Sequence, residues 1–350
     1  MNTFALSAAA TVLASFTLAL ALVLTADRHG RFSMDAPGAI QKFHSQPTPR
    51  IGGIGIYLAL VGASMLMPAN DTKRLLDTIL LAGIPALLVG LLEDVTKRVG
   101  ISTRLLATMA SGFLASWLSG VLLNEVHLQP IDQMLRFTPL AVLFTAFAVG
   151  GVANAINMID GFHGLASGTA VICLLAVAAI AAMVGDPALA LAGVIVAAAV
   201  AGFWLVNFPW GKLFLGDGGA YFAGFALAWL AVLLPVRNDS VSPWASFLIC
   251  AYPIIEVVYS IVRRSRARQS PGHADRRHLH SLVATQIVQR RLAGLDPTLQ
   301  NAAVSVIMWV FAAVPAVTAL AFYRRTDLLM TCVIASAAAY HLIYRRITRK

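Results

Sequence analysis

Charged residues are scarce in this chain. Only 12% of its 350 residues are Asp, Glu, Lys or Arg, whereas 59% are hydrophobic and the mean hydropathy is +0.77. Soluble domains use roughly 25% charged and 45–50% apolar residues, so this composition excludes an ordinary water-soluble protein. It indicates an integral membrane protein instead.

Cysteine is also scarce, and the cysteines that are present form no motif. Cys173, Cys250 and Cys332 each lie in a separate apolar run. Disulfide frameworks, zinc sites and haem attachment need cysteines at characteristic spacings, so we expect none of these features. The sequence also has no short repeat or low-complexity linker, which favours one membrane-embedded domain over 1–350.

Long apolar runs separated by short polar breaks fill most of the sequence. A helix needs about 20 apolar residues to span a bilayer, and a helix satisfies its own backbone hydrogen bonds there. The predicted fold class is therefore all-α, a polytopic integral membrane protein with about eleven transmembrane helices. The predicted segments are 4–24, 51–68, 75–92, 105–123, 139–157, 165–184, 188–208, 219–236, 243–262, 303–323 and 328–344.

Basic residues are distributed unevenly between the breaks. Alternate breaks and the C-terminal tail hold most of the 26 Lys and Arg residues. By the positive-inside rule these breaks are cytoplasmic, which predicts an N-terminus outside and a C-terminus in the cytoplasm. The net charge of +10 therefore indicates topology rather than a nucleic-acid partner. The breaks predicted to be catalytic cytoplasmic loops lie near 25–50, 93–104, 154–164, 209–218 and 263–302.

The first break places cations beside a glycine pair. Lys42, His44 and Arg50 precede Gly52 and Gly53 at the start of an apolar helix. Cations and closely approachable backbone amides suit phosphate. A proline-rich loop with positive-inside charges is the alternative interpretation.

The second break contains adjacent carboxylates, Glu93 and Asp94, near the cations Lys97, Arg98 and Arg104. Such carboxylates can bind a hard cation or accept a proton. Helical neighbours point about 100° apart, so the two need not share a ligand. A solvated helix end with local ion pairs is the alternative.

The third break contains polar residues within a segment that is otherwise predicted to be buried. Asn154, Asn157 and Asp160 recur at helical spacing, and His163 follows. Polar groups at membrane depth are costly and usually line a site. Interhelical hydrogen bonds give a purely structural alternative.

The fourth break begins at Asn207 and continues through Lys212 to Asp217, which stands between Gly216 and Gly218. The flanking glycines would let a carboxylate and backbone amides approach a metal-bound phosphate. A helix-capping aspartate in a glycine turn is the alternative.

The fifth break is the longest and most basic. His273, Arg276, Arg277, His278 and His280 fall within eight residues. Histidines two positions apart do not share a helix face, so hydrogen bonding to a pyrophosphate is favoured over a helical zinc pair. A basic membrane-surface patch is the alternative for the arginines.

Together these motifs resemble the polyprenyl-phosphate N-acetylhexosamine-1-phosphate transferase family, glycosyltransferase family 4. The resemblance covers 35–281 and combines DxP with HSxPTPRxGG, GLLxD, NAxNMxDGxxGL, FxGDxG and DRxHxH. The first loop is most similar to undecaprenyl-phosphate GlcNAc-1-phosphate transferases and O-antigen initiating enzymes. Glu93, His163, Ala220 and Ser281 depart from the usual family residues, which leaves the sugar specificity open.

The resemblance implies a bacterial inner-membrane enzyme with a cytoplasmic active site. It would transfer N-acetylhexosamine-1-phosphate from a UDP-sugar to undecaprenyl phosphate, release UMP and so initiate a cell-envelope polysaccharide. Mg²⁺, with Mn²⁺ as a substitute, would be the cofactor, held by Asp217 and Asp94. Asp160 and Glu93 complete the predicted catalytic set. The predicted substrate-binding residues are Lys42, His44, Arg50, Asn154, Asn157, His163, Asn207, Lys212, Arg276, His278 and His280.

A multi-pass transporter is the alternative function, with Asp160 and Glu256 as intramembrane carboxylates that carry protons or bind substrate. The predicted partners of the enzyme are a UDP-N-acetylhexosamine, polyprenyl phosphate and membrane lipid, with no nucleic acid. A homodimer is left open.

Overall fold

The computed structural model describes residues 3–35, 47–267 and 277–349. The candidate residues Lys42, His44 and Arg276 lie outside these ranges. Regular structure in the described ranges is helical, apart from a two-residue antiparallel ladder of β1 (Met34–Asp35) with β2 (Thr48–Pro49). The all-α prediction is confirmed.

The helices follow one another with short connections. In chain order they begin with α1 (Thr3–Leu24), α2 (Ala26–Ser33), α3 (Gly52–Met65), α4 (Asp71–Ala82), α5 (Ile84–Thr96), α6 (Ile101–Ser119), α7 (Gln129–Leu135), α8 (Thr138–Met158) and α9 (Leu165–Met183). They continue with α10 (Pro187–Asn207), α11 (Gly216–Arg237), α12 (Pro243–Ile249), α13 (Ala251–Arg266), α14 (Leu279–Val283), a π-helical segment (Ala284–Val288), α15 (Gln289–Arg291), α16 (Pro297–Phe322) and α17 (Thr326–Thr348).

Several helices begin at a capping residue followed by proline. The side chains of Asp186, Ser242 and Asp296 each accept a hydrogen bond from a backbone N–H in the first turn of α10, α12 and α16. Proline in the first turn loses no intrahelical hydrogen bond and has a helical φ. These local signals fix where the helices start.

Helix α11 is the centre of the bundle. Of its most apolar stretch, 94% is buried inside the protein, compared with 11% for α17 and 17% for α1. Phe222, Phe225 and Trp229 of α11 are completely buried. The outer helices expose Leu, Val and Ile side chains, as expected for surfaces that contact lipid hydrocarbon.

The described residues contain seven helices that are long and apolar enough to cross a membrane, or nine if each of two bent pairs is one span. The predicted segment 51–68 corresponds to α3, which has 14 residues. At 1.5 Å per residue such a helix is about 21 Å long, short of a roughly 30 Å hydrocarbon core. The protein is therefore polytopic, and eleven spans and their orientation stay predictions.

Two segments predicted as single spans are bent in the structure. The axis turns by 41° between α4 and α5 and by 75° between α12 and α13. Pro85 lies in the first turn of α5, and Pro253 lies in the first turn of α13. Proline cannot donate the hydrogen bond that would continue the preceding helix, which accounts for a break at each position.

Candidate active site

The first and fourth predicted loops are joined by backbone hydrogen bonds. Phe214 N donates to Pro49 O at 2.8 Å, and Phe214 O accepts from Gly52 N at 3.0 Å. Gly53 N donates to Leu215 O at 3.1 Å. This pairing fixes the chain on both sides of Arg50 beside the start of α11.

Glycines allow α3 and α5 to approach the start of α11 closely. A Cβ on Gly90 would lie 2.3 Å from Gly218 N, and a Cβ on Gly53 would lie 2.3 Å from the Cα of Gly219. Gly216 has φ +74°, and a Cβ there would lie 2.0 Å from Arg50 O. No larger residue fits these positions without displacing backbone, so the glycines set the distance between carboxylates on α5 and α11.

Asp94 is a buried cap on α11. Its Oδ1 accepts from Asp217 N at 2.9 Å, and its Oδ2 accepts from Gly218 N at 3.0 Å. Arg50 Nε lies 2.8 Å from Asp94 Oδ1, and the Asp94 side chain is 0% exposed. Each Asp94 oxygen is therefore engaged by a backbone amide of the first turn of α11. The Asp94 carboxylate therefore fixes the backbone of Asp217.

Asp217 is the more accessible carboxylate, with 14% of its side chain exposed. Its Oδ1 accepts from Arg50 Nη2 at 3.1 Å and from Asn157 Nδ2 at 3.2 Å. Its Oδ2 accepts from Arg104 Nη1 at 2.8 Å. Asp217 thus joins the first, second, third and fourth loops in one charged cluster.

Asp160 adds a third carboxylate to this end of the bundle. It lies in the turn between α8 and α9. Burial, together with the negative charges of Asp217 and Asp94, raises the pKa of Asp160 to about 7, although the positive charge of Arg50 opposes this shift. Three carboxylates therefore share the field of two arginines, Arg50 and Arg104, and a cation or proton is favoured among them.

The fifth loop meets the third through His280. The rings of Phe162 and His280 are 5.7 Å apart, and those of His278 and His280 are stacked at 5.2 Å. Glu256 Oε1 lies 3.2 Å from His278 Nδ1 and accepts from Leu279 N at 2.9 Å. Glu256 is 1% exposed, so a buried carboxylate on α13 orients the histidine segment.

Three predicted binding residues lie in contacts that join helices and loops. Asn154 Nδ2 donates to Thr108 Oγ1 of α6 at 2.8 Å. His163 Nδ1 lies 2.9 Å from Pro209 O. Asn207 Nδ2 donates to Leu213 O at 2.7 Å, and its Oδ1 accepts from Gly164 N. The structural alternative for the polar stripe thus describes Asn154, whereas Asn157 reaches Asp217.

Glu93 and Lys212 stand apart from the carboxylate cluster. Glu93 Oε2 accepts from Val99 N at 2.8 Å and so closes the turn after α5. Lys212 is exposed. Among the contacts of described residues, no hydrogen bond links either side chain to Asp217. The roles of Glu93 in catalysis and of Lys212 in binding stay predictions.

Arg104 and Glu256 are site residues that the motifs leave out. Arg104 occupies the first turn of α6, and Glu256 is the one acidic residue in the apolar Tyr252–Ser260 stretch. A lone charge in an apolar helix predicts a buried partner. This signal could have identified both residues from the sequence. Only the structure shows that Arg104 pairs with Asp217 and that Glu256 pairs with His278.

The donor atoms of the cluster decide whether a divalent metal fits the site. The described residues contain no group of three or more His, Cys, Asp or Glu side chains arranged to hold a metal ion. Mg²⁺ commonly uses only one or two carboxylates with water and substrate phosphates. Asp217 Oδ2 accepts one hydrogen bond and is partly exposed, which suits such a ligand. Asp94 has no exposure and caps α11, so it fits less well.

The fold and the site define a polytopic membrane protein with a cluster of carboxylates and arginines at one end of its central helix. The family model described as glycosyl transferase family 4 matches residues 77–235, which include Asp94, Asp160 and Asp217.

Relatives extend this match over most of the chain. An undecaprenyl-phosphate alpha-N-acetylglucosaminyl 1-phosphate transferase of Thermotoga maritima is 30% identical over 254 residues, covering 73% of this chain and 74% of the relative. A decaprenyl-phosphate N-acetylglucosaminephosphotransferase of Mycolicibacterium smegmatis is 27% identical over 313 residues, covering 80% and 73%. The Escherichia coli O157:H7 protein with the same name as the Thermotoga relative is 27% identical over 257 residues, covering 71% and 68%. The chain belongs to the polyprenyl-phosphate hexosamine-1-phosphate transferases of glycosyl transferase family 4.

Proposed function

We propose that this protein transfers N-acetylhexosamine-1-phosphate from a UDP-sugar to a polyprenyl phosphate, releasing UMP. The observation that carries the proposal is the convergence of Arg50, Arg104, Asn157 and Asp217 at the first turn of α11. These residues come from four loops whose motifs match the family. The printed names of the relatives support the same reaction, and nothing in them favours a transporter.

The arginines are suited to receive the phosphates of both substrates. Arg50 and Arg104 are about one-fifth exposed, so their guanidinium groups can be reached from the site. Guanidinium binds phosphate through two parallel hydrogen bonds. In the absence of substrate the same groups neutralise Asp217. Entry of a pyrophosphate would draw them partly away from that carboxylate and leave it able to bind a cation.

The cofactor proposed for the site is Mg²⁺, with Mn²⁺ as a substitute. Asp217 would hold the ion, together with water and phosphate oxygens. The bound cation would supply neutralisation of the charge that develops on the departing UMP. Asp94 would act behind Asp217, because its contacts to Asp217 N and Gly218 N keep the first turn of α11 in position.

Direct attack by the lipid phosphate is the mechanism that these contacts favour. A phosphate monoester has its second pKa near 6, so the acceptor is already largely anionic at neutral pH. Asp94 is enclosed and hydrogen-bonded through each oxygen, which is a poor arrangement for a nucleophile. Asp94 then serves as a positioning residue, and Arg50 and Arg104 bring the two anions together.

The location we propose is the bacterial inner membrane, with the site on the cytoplasmic face, the N-terminus outside and the chain forming one membrane domain. The exposed apolar side chains of α1 and α17 support burial in lipid. The excess of Lys and Arg in the breaks that form the site supports the orientation. The prenyl tail of the acceptor would then remain in the bilayer while its phosphate reaches Asp217.

The proposal is tested with purified protein, undecaprenyl phosphate, Mg²⁺ and, separately, UDP-GlcNAc and UDP-GalNAc. Mass spectrometry of the lipid fraction should find a pyrophosphoryl sugar, with UMP in the aqueous phase. The preferred donor identifies the sugar. Folded wild-type protein that forms no lipid product with either donor would contradict the proposed substrate class.

A further inference from the structure

A cavity of about 260 Å³ lies beside the last helix, away from the carboxylate cluster. It opens between the segment that follows α14 and the C-terminal end of α17. Three arginines line it: Arg290, Arg291 and Arg346. In the sequence these residues contribute to the positive-inside charge, and the proposed transfer reaction does not use them.

The charged side chains that line this cavity are all positive. Arg290, Arg291 and Arg346 are all exposed, and among the described residues no ion pair joins any of them to a carboxylate. Three guanidinium groups around one cavity repel one another, so an anion between them is favoured. Guanidinium has the geometry to bind phosphate oxygens in pairs. Charge complementarity therefore points to a phosphate-bearing ligand.

The rest of the lining is mostly apolar. Ile287, Ile343 and Ile347 form this part, and the last two belong to α17, a candidate membrane span. Ile343 is 38% exposed although it is apolar. Isoleucines next to arginines at the end of a span are typical of the level where lipid headgroups meet acyl chains. A soluble phosphate would leave the apolar part uncovered, whereas a phospholipid covers both parts.

The wall of the cavity is built on irregular helix. Gln286 and Ile287 lie in the π-helical segment, a conformation that is rare and is frequently found at functional sites. Gln286 Oε1 is buried and accepts no hydrogen bond from the part of the chain that the structure describes. A headgroup hydroxyl, such as that of a glycerol, can donate to this acceptor. This observation is independent of the arginines and indicates a ligand with a hydroxyl donor.

We propose that this cavity binds the headgroup of an acidic glycerophospholipid, with its phosphodiester between the three arginines and its glycerol region against the isoleucines. The ligand is a lipid of the surrounding bilayer and is neither the donor nor the acceptor of the transfer reaction. Binding requires no turnover, so this site is tested separately from the proposed function.

The test measures the lipid retained by the full chain in nanodiscs of phosphatidylcholine containing a minor fraction of phosphatidylglycerol. Native mass spectrometry after release counts each bound lipid. Wild-type protein should retain phosphatidylglycerol selectively. Because loss of one guanidinium hydrogen bond to the phosphodiester should lower retention about fivefold, the double variant Arg290→Gln/Arg346→Gln should retain about 25-fold less. Each single variant should retain an intermediate amount of phosphatidylglycerol. The single variants therefore test the site even if the double variant does not fold.

Arg349→Gln is the matched control. Arg349 is exposed, follows the same helix and does not line the cavity, and the substitution removes the same charge. Retention by this variant should equal that of the wild type. An equal loss in the control, or undiminished retention in the double variant, would overturn the site. Displacement of the lipid by inorganic phosphate alone would also overturn it in favour of a soluble anion.

Discussion

The two ends of α11 carry the same kinds of charged residue in different surroundings. At its C-terminal end Arg237 lies 2.7 Å from Asp186 and 2.8 Å from Asp71, and Asn238 also donates to Asp186. At its N-terminal end three carboxylates share two arginines. In the first cluster Asp186 is hydrogen-bonded to Arg237, whereas the second places Asp160 in a buried position near two further carboxylates.

The pKa values show this difference. Burial opposes ionisation of Asp186, but the hydrogen bonds from Arg237 and Leu189 N outweigh it and lower its pKa. The pKa of Asp160 is raised to about 7. A carboxylate whose pKa is lowered is stabilised in its charged form, which suits a role in the fold. A carboxylate whose pKa is raised is destabilised in its charged form, which is expected where a ligand brings a cation. We therefore expect the C-terminal end of α11 to stabilise the fold and its N-terminal end to take part in the reaction.

The largest effect should come from Asp217→Asn. The amide keeps the size of the side chain but removes the charge that pairs with Arg104 and would hold the metal, so turnover should fall by at least about 10²-fold. The rate of lipid-product formation measures it. Asp71→Asn, at the other end of α11, is the control and should leave turnover near the wild-type value. Equal losses in both variants would remove the distinction between the two ends.

Asp186→Asn should affect stability instead. It weakens the contacts to Arg237, with an expected cost of about 1–3 kcal/mol in the free energy of unfolding. Because the folded pKa of Asp186 is lowered, its contribution is present above the usual value of 3.8 and is lost as pH falls through the folded pKa. Thermal unfolding in detergent should therefore show a deficit at pH 7 that shrinks toward pH 3. A deficit independent of pH would contradict the charge-based account.

Glu256→Gln should lower turnover by about tenfold, because an amide holds the His278 segment less firmly than a carboxylate does. A positioning role predicts that the KM for the UDP-sugar rises while the melting temperature changes little. Glu256→Asp should recover part of the activity. The control is Glu125→Gln, at an exposed position. Loss of folded protein in both Glu256 variants, with normal kinetics in the remainder, would argue for a purely structural carboxylate.

Asp160→Asn should change stability with the opposite sign to Asp186→Asn. The folded pKa of Asp160 lies near 7, above the ordinary 3.8, so the folded state keeps a proton that the unfolded state releases. The wild type therefore loses stability as pH rises from about 4 to 7, and the amide variant escapes that loss. Melting with a chelator present should show the variant equal at pH 4 and more stable at pH 8. A variant that is less stable at pH 8 would contradict the raised pKa of Asp160.

Much of the fold follows from the sequence because a bilayer demands apolar runs of helical length. The observed α8 (Thr138–Met158) and α9 (Leu165–Met183) agree with the predicted segments within two residues. The bends near Pro85 and Pro253 were not predicted, since hydropathy averages over a window and does not register one lost hydrogen bond.

The sequence names several residues of the candidate site but not the contacts between them. Arg50, Asn157 and Asp217 meet as their motifs suggest. Asn154 lies one helical turn from Asn157 yet bonds to α6, a separation that depends on helix rotation. The capping role of Asp94 depends on how closely α5 crosses α11. That distance is set by packing between segments far apart in sequence.

The most direct test of the account is exchange of labelled UMP into UDP-sugar by enzyme freed of polyprenyl phosphate, with Mg²⁺ present. If Asp94 is a buried positioning residue and the lipid phosphate attacks directly, no exchange should occur until undecaprenyl phosphate is added. Robust exchange in lipid-free enzyme, lost in Asp94→Asn, would show a covalent intermediate on Asp94 and contradict the role assigned to it here.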